Sequence, residues 1–207
     1  MSYKLLALDL DDTLLNEEFV ISPGNKEAIL EAARRGAAVT LATGRMFRSS
    51  LPYAEELGLD VPLITYHGAM VKKARSQEEI FHRPVPLDLA VELTNYLEAG
   101  GYHLNLYIND NLYVREDNEL IQLYINIASV EFTAVGNLSN FIKDEPTKMT
   151  VIIKEENKLK DLGRLFNQKY GSILSVVRSR PYFLEITHAA ATKGQALKYL
   201  AESMGIK

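Results

Sequence analysis

The fold of this chain is decided by one stretch near its start, Lys4-Leu5-Leu6-Ala7-Leu8-Asp9-Leu10-Asp11-Asp12-Thr13-Leu14-Leu15. Its first half is a continuous apolar run that ends on a carboxylate, which is typical of a strand buried on both faces of a parallel sheet. Residues 37–42 and 61–65 form two more apolar runs, and helical patterns separate the three. This βαβαβ order predicts an α/β fold with a parallel sheet and right-handed crossovers, whose ligands bind beyond the carboxyl ends of the strands.

The two intervening helices have their own sequence signals. Ser22 is a suitable N-cap, Pro23 suits the first helical position, and Gly36 ends the first helix. The second helix is expected at about residues 46–57. Near the end of the chain, a last amphipathic helix follows Lys193, with Gly205 as its C-cap.

Composition narrows the class of protein. Of the 207 residues 47% are hydrophobic, and 23 basic against 27 acidic residues give a formal net charge of -4. The length allows a sizeable core in one domain or two, and the acidic balance argues against a nucleic-acid partner. The absence of cysteine excludes disulfides, thiolate metal sites and a cysteine nucleophile. No secretory signal or membrane-spanning run is evident, so we expect a cytoplasmic protein without a membrane partner.

The pattern changes near Arg83, where Pro84 and Pro86 interrupt the chain. Asn109-Asp110-Asn111 between two apolar runs predicts a β-hairpin. Helices are expected at residues 117–128 and 155–170, with strands at 148–153, 173–177 and 182–187. We therefore predict a core domain of residues 1–82 plus 186–207 and an inserted α/β domain of residues 83–185.

Two groups of polar residues follow neighbouring strands of the predicted sheet. Asp9 and Asp11 are carboxylates that repel each other unless a cation or a proton intervenes, and Mg²⁺ commonly joins such groups to a phosphate. Taken alone, these aspartates could equally form an Asx turn and a helix cap. Thr43-Gly44-Arg45 adds a hydroxyl, an accessible amide and a cation at the same sheet edge, and these are phosphate-binding groups. Thr43 also suits an ordinary N-cap.

The motifs resemble those of the haloacid dehalogenase superfamily of phosphatases, and particularly its Cof-type sugar-phosphatase branch. Asp9-x-Asp11-x-Thr13-Leu14 is similar to the first motif of that family, and Thr43-Gly44-Arg45 to the second. Lys193-Gly194 before an apolar helix is similar to the third. The resemblance spans nearly the whole chain, and it implies a Rossmann-like core in which the insert is a cap domain.

The resemblance also implies residue roles in a Mg²⁺-dependent hydrolysis of phosphate monoesters. Asp9 would form an aspartyl-phosphate, and Asp11 would protonate the leaving oxygen and then activate water. Asp9 and the Asp11 carbonyl would hold the metal. The substrate would be a sugar phosphate or a similar small phosphorylated metabolite. Its phosphate would be bound by four residues: Leu10, Thr43, Gly44 and Lys193.

Two features depart from the family pattern. His67-Gly68-Ala69 stands where relatives often have Asn-Gly-Ala, and we assign only possible substrate contacts to His67, His188 and Arg45. The family pattern continues past the last helix into a Gly-Asp-x-x-x-Asp motif that completes the metal site, whereas this sequence ends at Lys207. We expect either a fragment of a longer protein or a weakened metal site, and weak or absent turnover from these 207 residues alone.

Other functions stay open at this stage. A non-catalytic phospho-ligand-binding protein would keep Thr43 and Lys193, but it has little use for Asp9 and Asp11 together. A phosphomutase with a similar cap is a further alternative. A signalling receiver domain is disfavoured, because it carries its phosphoacceptor after the third strand, where this chain has Thr65-Tyr66-His67. The sequence predicts no oligomeric state.

Overall fold

The computed structural model describes residues 3–58 and 62–206, which divide into two compact units. The first unit comprises Met1–His82 and Thr192–Lys207, and the second comprises Arg83–Ala191. The predicted insert has the same start but an earlier end, at residue 185. The second unit is longer because its last strand continues to His188 and the Ala189 amide then donates to the Ile173 carbonyl at 2.7 Å.

The first unit begins with a parallel strand pair. Strands β1 (Leu5–Leu8) and β2 (Ala38–Leu41) pair in parallel, and helix α1 (Pro23–Arg34) connects them. The Ser22 hydroxyl accepts a hydrogen bond from the Asn25 amide at 3.2 Å, so it caps α1 as predicted. This arrangement confirms the α/β class and the predicted parallel pairing of the first two strands.

A second helix and strand extend the same layer. Helix α2 (Phe47–Glu56) leads to strand β3 (Pro62–Thr65), which joins the end of β2 through a parallel bridge between Ala42 and Ile64. Val61, the first residue of the predicted third strand, lies outside the described residues. The carboxyl ends of β1 and β2 therefore lie side by side in this βαβαβ arrangement. The polar motifs begin at this edge of the sheet, directly after the two strands.

Two strands of the first unit were not predicted. Strands β4 (Met70–Lys73) and β5 (Glu79–His82) continue from β3 as an antiparallel sheet. Each is four residues long and half polar, so neither apolar periodicity nor a hairpin signal stands out in the sequence. The last helix, which we number α7 (Lys193–Ser203), packs Ala196 and Leu200 against this layer.

The second unit is built on one six-stranded sheet. Its strands are β6 (His103–Ile108), β7 (Asn111–Val114), β8 (Thr133–Ala134), β9 (Lys148–Ile152), β10 (Leu174–Arg180) and β11 (Phe183–His188). They lie in the order β10-β11-β9-β6-β7-β8, and all neighbours are antiparallel except β7 and β8. Asn109 and Asp110, both with positive φ, form the predicted hairpin turn between β6 and β7.

The helices of the second unit are α3 (Leu87–Ala99), α4 (Glu119–Ala128), α5 (Leu138–Phe141) and α6 (Glu156–Tyr170). The apolar side chains of α3, α5 and α6 and one face of the sheet form a core, in which Leu93 of α3 and Phe166 of α6 are buried. Tyr124 of α4 instead contacts the rings of Tyr107 and Phe183. The positions of α4 and α6 confirm the predicted helices, whereas α3, α5 and β8 were not assigned from the sequence. Among the described residues, no helix is both long and apolar enough to cross a membrane.

Candidate active site

Asp9 lies at the carboxyl end of β1, where the chain leaves the sheet in a wide turn. The turn spans Leu10–Leu14 and is closed by hydrogen bonds from the Leu14 amide to the Asp9 carbonyl and from the Leu15 amide to the Leu10 carbonyl, at 3.2 and 2.9 Å. The side chains of Leu10 and Leu14 are buried beneath it. The apolar residues of the motif thus anchor the turn, while its aspartates are held at the surface of the unit.

The Asp9 carboxylate is held at both oxygens. Oδ1 accepts from the Leu10 amide at 2.8 Å, and Oδ2 accepts from Lys193 Nζ at 2.6 Å. Lys193 is the first residue of α7, and the Thr192 hydroxyl caps that helix by accepting from the Gln195 amide at 3.1 Å. The structure therefore brings together the first and third sequence motifs, 184 residues apart. Because the Leu10 amide donates to Asp9, its phosphate contact stays a prediction.

The second motif follows β2 at the same edge. Thr43 is fully buried, and its amide donates to the Ile64 carbonyl at 2.8 Å. Its hydroxyl oxygen accepts from the Arg45 amide at 3.1 Å, which leaves the hydroxyl proton free to be donated in another direction. The Thr43 and Arg45 carbonyls accept from the His67 and Tyr66 amides, at 3.0 and 2.9 Å. The loop after β2 is thus fastened to the loop after β3.

The turn Tyr66–Gly68 lies close to both the second and the third motif, and a glycine is present at each point of close approach. A Cβ atom on Gly44 would lie 2.2 Å from Cε1 of His67, so the imidazole packs directly against Gly44. A Cβ atom on Gly68 would lie 2.2 Å from the Thr192 carbonyl oxygen. The approach at Gly68 needs glycine, because its neighbours are backbone atoms. The sequence singled out His67 as a possible substrate contact, and the structure places it against the second motif.

Arg45 binds the other aspartate of the first motif. Its Nε lies 3.1 and 3.0 Å from Oδ1 and Oδ2 of Asp11, and its Nη2 lies 2.5 Å from Oδ1. The hydrogen bonds to Asp11 raise the pKa of Arg45 above its ordinary value, although burial opposes this change. Arg45 was predicted only as a possible substrate contact, and sequence spacing gave no signal for this pair across 34 positions.

His188 belongs to the second unit, where its Nδ1 accepts from the Ala190 amide at 3.0 Å. Its role as a substrate contact remains a prediction. The other sequence-predicted site residues all belong to the first unit: Asp9, Leu10, Asp11, Thr43, Gly44, Arg45, His67 and Lys193.

The aspartates match the chemistry of the implied metal. Mg²⁺ prefers oxygen ligands and is often held by only one or two carboxylates, with water and substrate phosphate completing its coordination. Asp9 and the carbonyl of Asp11 supply oxygen ligands of this kind on one turn. Within residues 3–58 and 62–206, His, Cys, Asp and Glu form no cluster of three or more suited to a metal ion.

Comparison with known proteins identifies relatives of the whole chain. The family profile of haloacid dehalogenase-like hydrolases matches residues 6–207. M6_Spy0533 of Streptococcus pyogenes, which carries a phosphatase name, is 28% identical over all of this chain and 78% of its own length. The Bacillus subtilis 5-amino-6-(5-phospho-D-ribitylamino)uracil phosphatase YitU is 31% identical over 74% of this chain and 57% of its own length.

A solved structure agrees with these relatives. The crystal structure of TM0651 from Thermotoga maritima superposes with a TM-score of 0.89 and 31% identity, over 98% of this chain and 76% of that protein. The predicted Rossmann-like α/β class and the resemblance to Cof-type phosphatases are thereby confirmed. The chain belongs to the haloacid dehalogenase-like hydrolase family and is a phosphatase of that superfamily.

Proposed function

We propose that this protein hydrolyses phosphate monoesters of small metabolites through an aspartyl-phosphate on Asp9. The observation that carries the proposal is the fixed Asp9 carboxylate at the end of β1, with Lys193 Nζ 2.6 Å from Oδ2. Asp9 is 43% exposed, so the carboxylate is oriented and still accessible to a substrate. Preorganised orientation of this kind lowers the barrier of a displacement reaction.

Hydrolysis then takes place in two displacements. In the first, an Asp9 oxygen forms a bond to phosphorus while the bond to the leaving oxygen breaks, and Asp11 gives that oxygen a proton. In the second, Asp11 takes a proton from water as the water oxygen attacks phosphorus, which releases inorganic phosphate and restores Asp9. Asp11 is half-buried and lies on the same turn as Asp9, as this exchange of roles requires.

Three groups are suited to stabilise the transferred phosphoryl group. Thr43 offers its hydroxyl proton, and Lys193 offers a positive charge beside the nucleophile. The Gly44 backbone is the third proposed phosphate contact. Asp9 and the Asp11 carbonyl would hold Mg²⁺. When bound, this ion supplies positive charge that offsets the repulsion between the carboxylate and the phosphate.

We propose a sugar phosphate or a similar small phosphorylated metabolite as the substrate, and the second unit, Arg83–Ala191, as the cap. The name of YitU describes that relative as acting on the phosphate ester of a ribityl chain. This supports a polyhydroxylated phosphate monoester as the substrate class here.

The test uses the protein as its gene encodes it, with p-nitrophenyl phosphate and Mg²⁺. We expect Asp9→Asn to abolish release of phosphate, because an amide is too weak a nucleophile to form the intermediate. Asp12→Asn is the matched control, since Asp12 is exposed three positions away and has a left-handed φ of 57° that asparagine tolerates. Equal turnover by Asp9→Asn, or full activity in a chelator, would refute the proposal.

A further inference from the structure

Arg45 determines the orientation of the Asp11 carboxylate. The guanidinium reaches both oxygens, through Nε at 3.1 and 3.0 Å and Nη2 at 2.5 Å. Within residues 3–58 and 62–206, no other group donates a hydrogen bond to this carboxylate. A planar guanidinium bound to both oxygens fixes the plane of a carboxylate as well as its position.

The fold holds Arg45 independently of Asp11. The guanidinium carbon lies 5.4 Å from the centre of the Phe19 ring and 5.5 Å from that of Tyr53, and Nη1 donates to the Tyr53 hydroxyl at 3.4 Å. Its side chain is only 18% exposed. Cation-aromatic contacts of this kind contribute about 0.5–2 kcal/mol each, depending on how far they are desolvated.

The backbone of Arg45 is also fixed. Its amide donates to the Thr43 hydroxyl at 3.1 Å, and its carbonyl accepts from the Tyr66 amide at 2.9 Å. The arginine therefore joins the loop that presents Thr43 to the turn that presents Asp11. A residue that only captured substrate would not need both carboxylate oxygens of a neighbouring aspartate.

We propose that Arg45 is a positioning residue for Asp11, which it aligns for proton transfer to the leaving oxygen. This inference rests on the proposed function, since it concerns the first displacement described above. As the Asp9 oxygen bonds to phosphorus and the ester bond breaks, the proton moves from Asp11 to the leaving oxygen. When Asp11 carries this proton on Oδ2, Nε and Nη2 of Arg45 still hold Oδ1. Arg45 keeps all its own protons and fixes the direction of the Asp11 carboxyl group.

Two aryl substrates separate this role from substrate binding. The p-nitrophenolate ion is a stable leaving group that needs little protonation, whereas phenolate is more basic and benefits more from a general acid. The two esters differ only by the nitro group, so a contact with the phosphate affects them alike. The quantity to compare is kcat/KM, because it reports the steps up to departure of the leaving group and excludes hydrolysis of the aspartyl-phosphate.

For Arg45→Met we expect kcat/KM to fall about 10- to 100-fold with phenyl phosphate and less than about threefold with p-nitrophenyl phosphate. Asp11→Asn should show the same preference, and the double variant should lose no more than Asp11→Asn alone, because both changes remove one function. Arg35→Met is the matched control, since Arg35 is a surface arginine of the same unit with a side chain 78% exposed.

Two further measurements test the interpretation. Arg45→Lys should retain only part of the wild-type kcat/KM with phenyl phosphate, because an ammonium group cannot bind both oxygens as a planar fork. Added guanidinium ion should restore kcat/KM of Arg45→Ala with phenyl phosphate, at concentrations that leave thermal unfolding unchanged. These two variants keep the test valid if Arg45→Met does not fold.

Equal losses with the two esters would overturn the inference and make Arg45 a substrate contact. Losses that add to those of Asp11→Asn would also overturn it. Failure of the proposed function is a separate result, since it would appear as unchanged turnover in Asp9→Asn.

Discussion

Substitution of Gly68 by alanine tests whether the turn after β3 positions Lys193. Gly68 has a φ of 103°, and an added Cβ would lie 2.2 Å from the Thr192 carbonyl oxygen and 2.6 Å from the Lys193 nitrogen. Both are backbone atoms at the start of α7, so no side-chain rotation relieves the contact. The start of the helix must withdraw by about 1 Å to restore van der Waals distances. Backbone strain and overpacking together should lower the free energy of unfolding by roughly 2–5 kcal/mol.

The same displacement should reach the proposed nucleophile. Lys193 Nζ is 2.6 Å from Asp9 Oδ2, and a misplacement of about 1 Å can lower turnover by up to ~100-fold. Urea unfolding and steady-state kinetics of Gly68→Ala measure the two effects. Gly24→Ala in α1 is the control, because no atom lies within 4 Å of its added Cβ. A Gly68→Ala variant with wild-type stability and kcat would refute the reasoning, and lost stability with unchanged kcat would refute the link to Lys193.

Two predictions concern the second unit. Burial lowers the pKa of His103, so between that pKa and the unfolded value of about 6.5 the unfolded state binds more protons. The free energy of unfolding should be highest above pH ~6.5 and should fall by at most about 1.4 kcal/mol per pH unit below it. Urea unfolding at a series of pH values should show a weaker dependence of this free energy on pH in His103→Gln. Asn118→Ala should lower the free energy of unfolding by about 1 kcal/mol, measured by thermal unfolding. Asn118→Asp should lower it less, because aspartate keeps the cap hydrogen bonds from the Leu120 and Ile121 amides. Equal losses in the two Asn118 variants would contradict a capping role.

The sequence predicted those elements whose signals are local. The apolar run before Asp9 identified β1, Ser22 and Pro23 located the start of α1, and the Asn109-Asp110 pair located the hairpin. These features depend on periodicity and backbone preference within a few residues. β4 and β5 were missed because four residues, half of them polar, carry no periodicity that distinguishes a strand from a loop.

The proposed site shows the same division between local and distant information. The acidic pair and Thr43 could be selected because oxygen groups that follow neighbouring strands have a chemical reason to lie together, whereas Lys193 was selected only through the resemblance to the third family motif. The pairing of Arg45 with Asp11 was not predictable, since it depends on how two loops from different strands meet across 34 positions. Phe19 and Tyr53, which hold the guanidinium, look like ordinary aromatic residues in the sequence.

The turn Tyr66–Gly68 explains why groups from distant motifs can keep a common geometry. Its amides hold the carbonyls of Thr43 and Arg45, and its glycine packs against the cap of α7. Tyr66 and His67 both have left-handed φ values, 51° and 60°, which cost free energy in residues with a side chain. Strain of this kind persists only where surrounding contacts stabilise it. The bonds to the second motif and the packing against the third supply such contacts, so the strained turn and the two motifs stabilise one another.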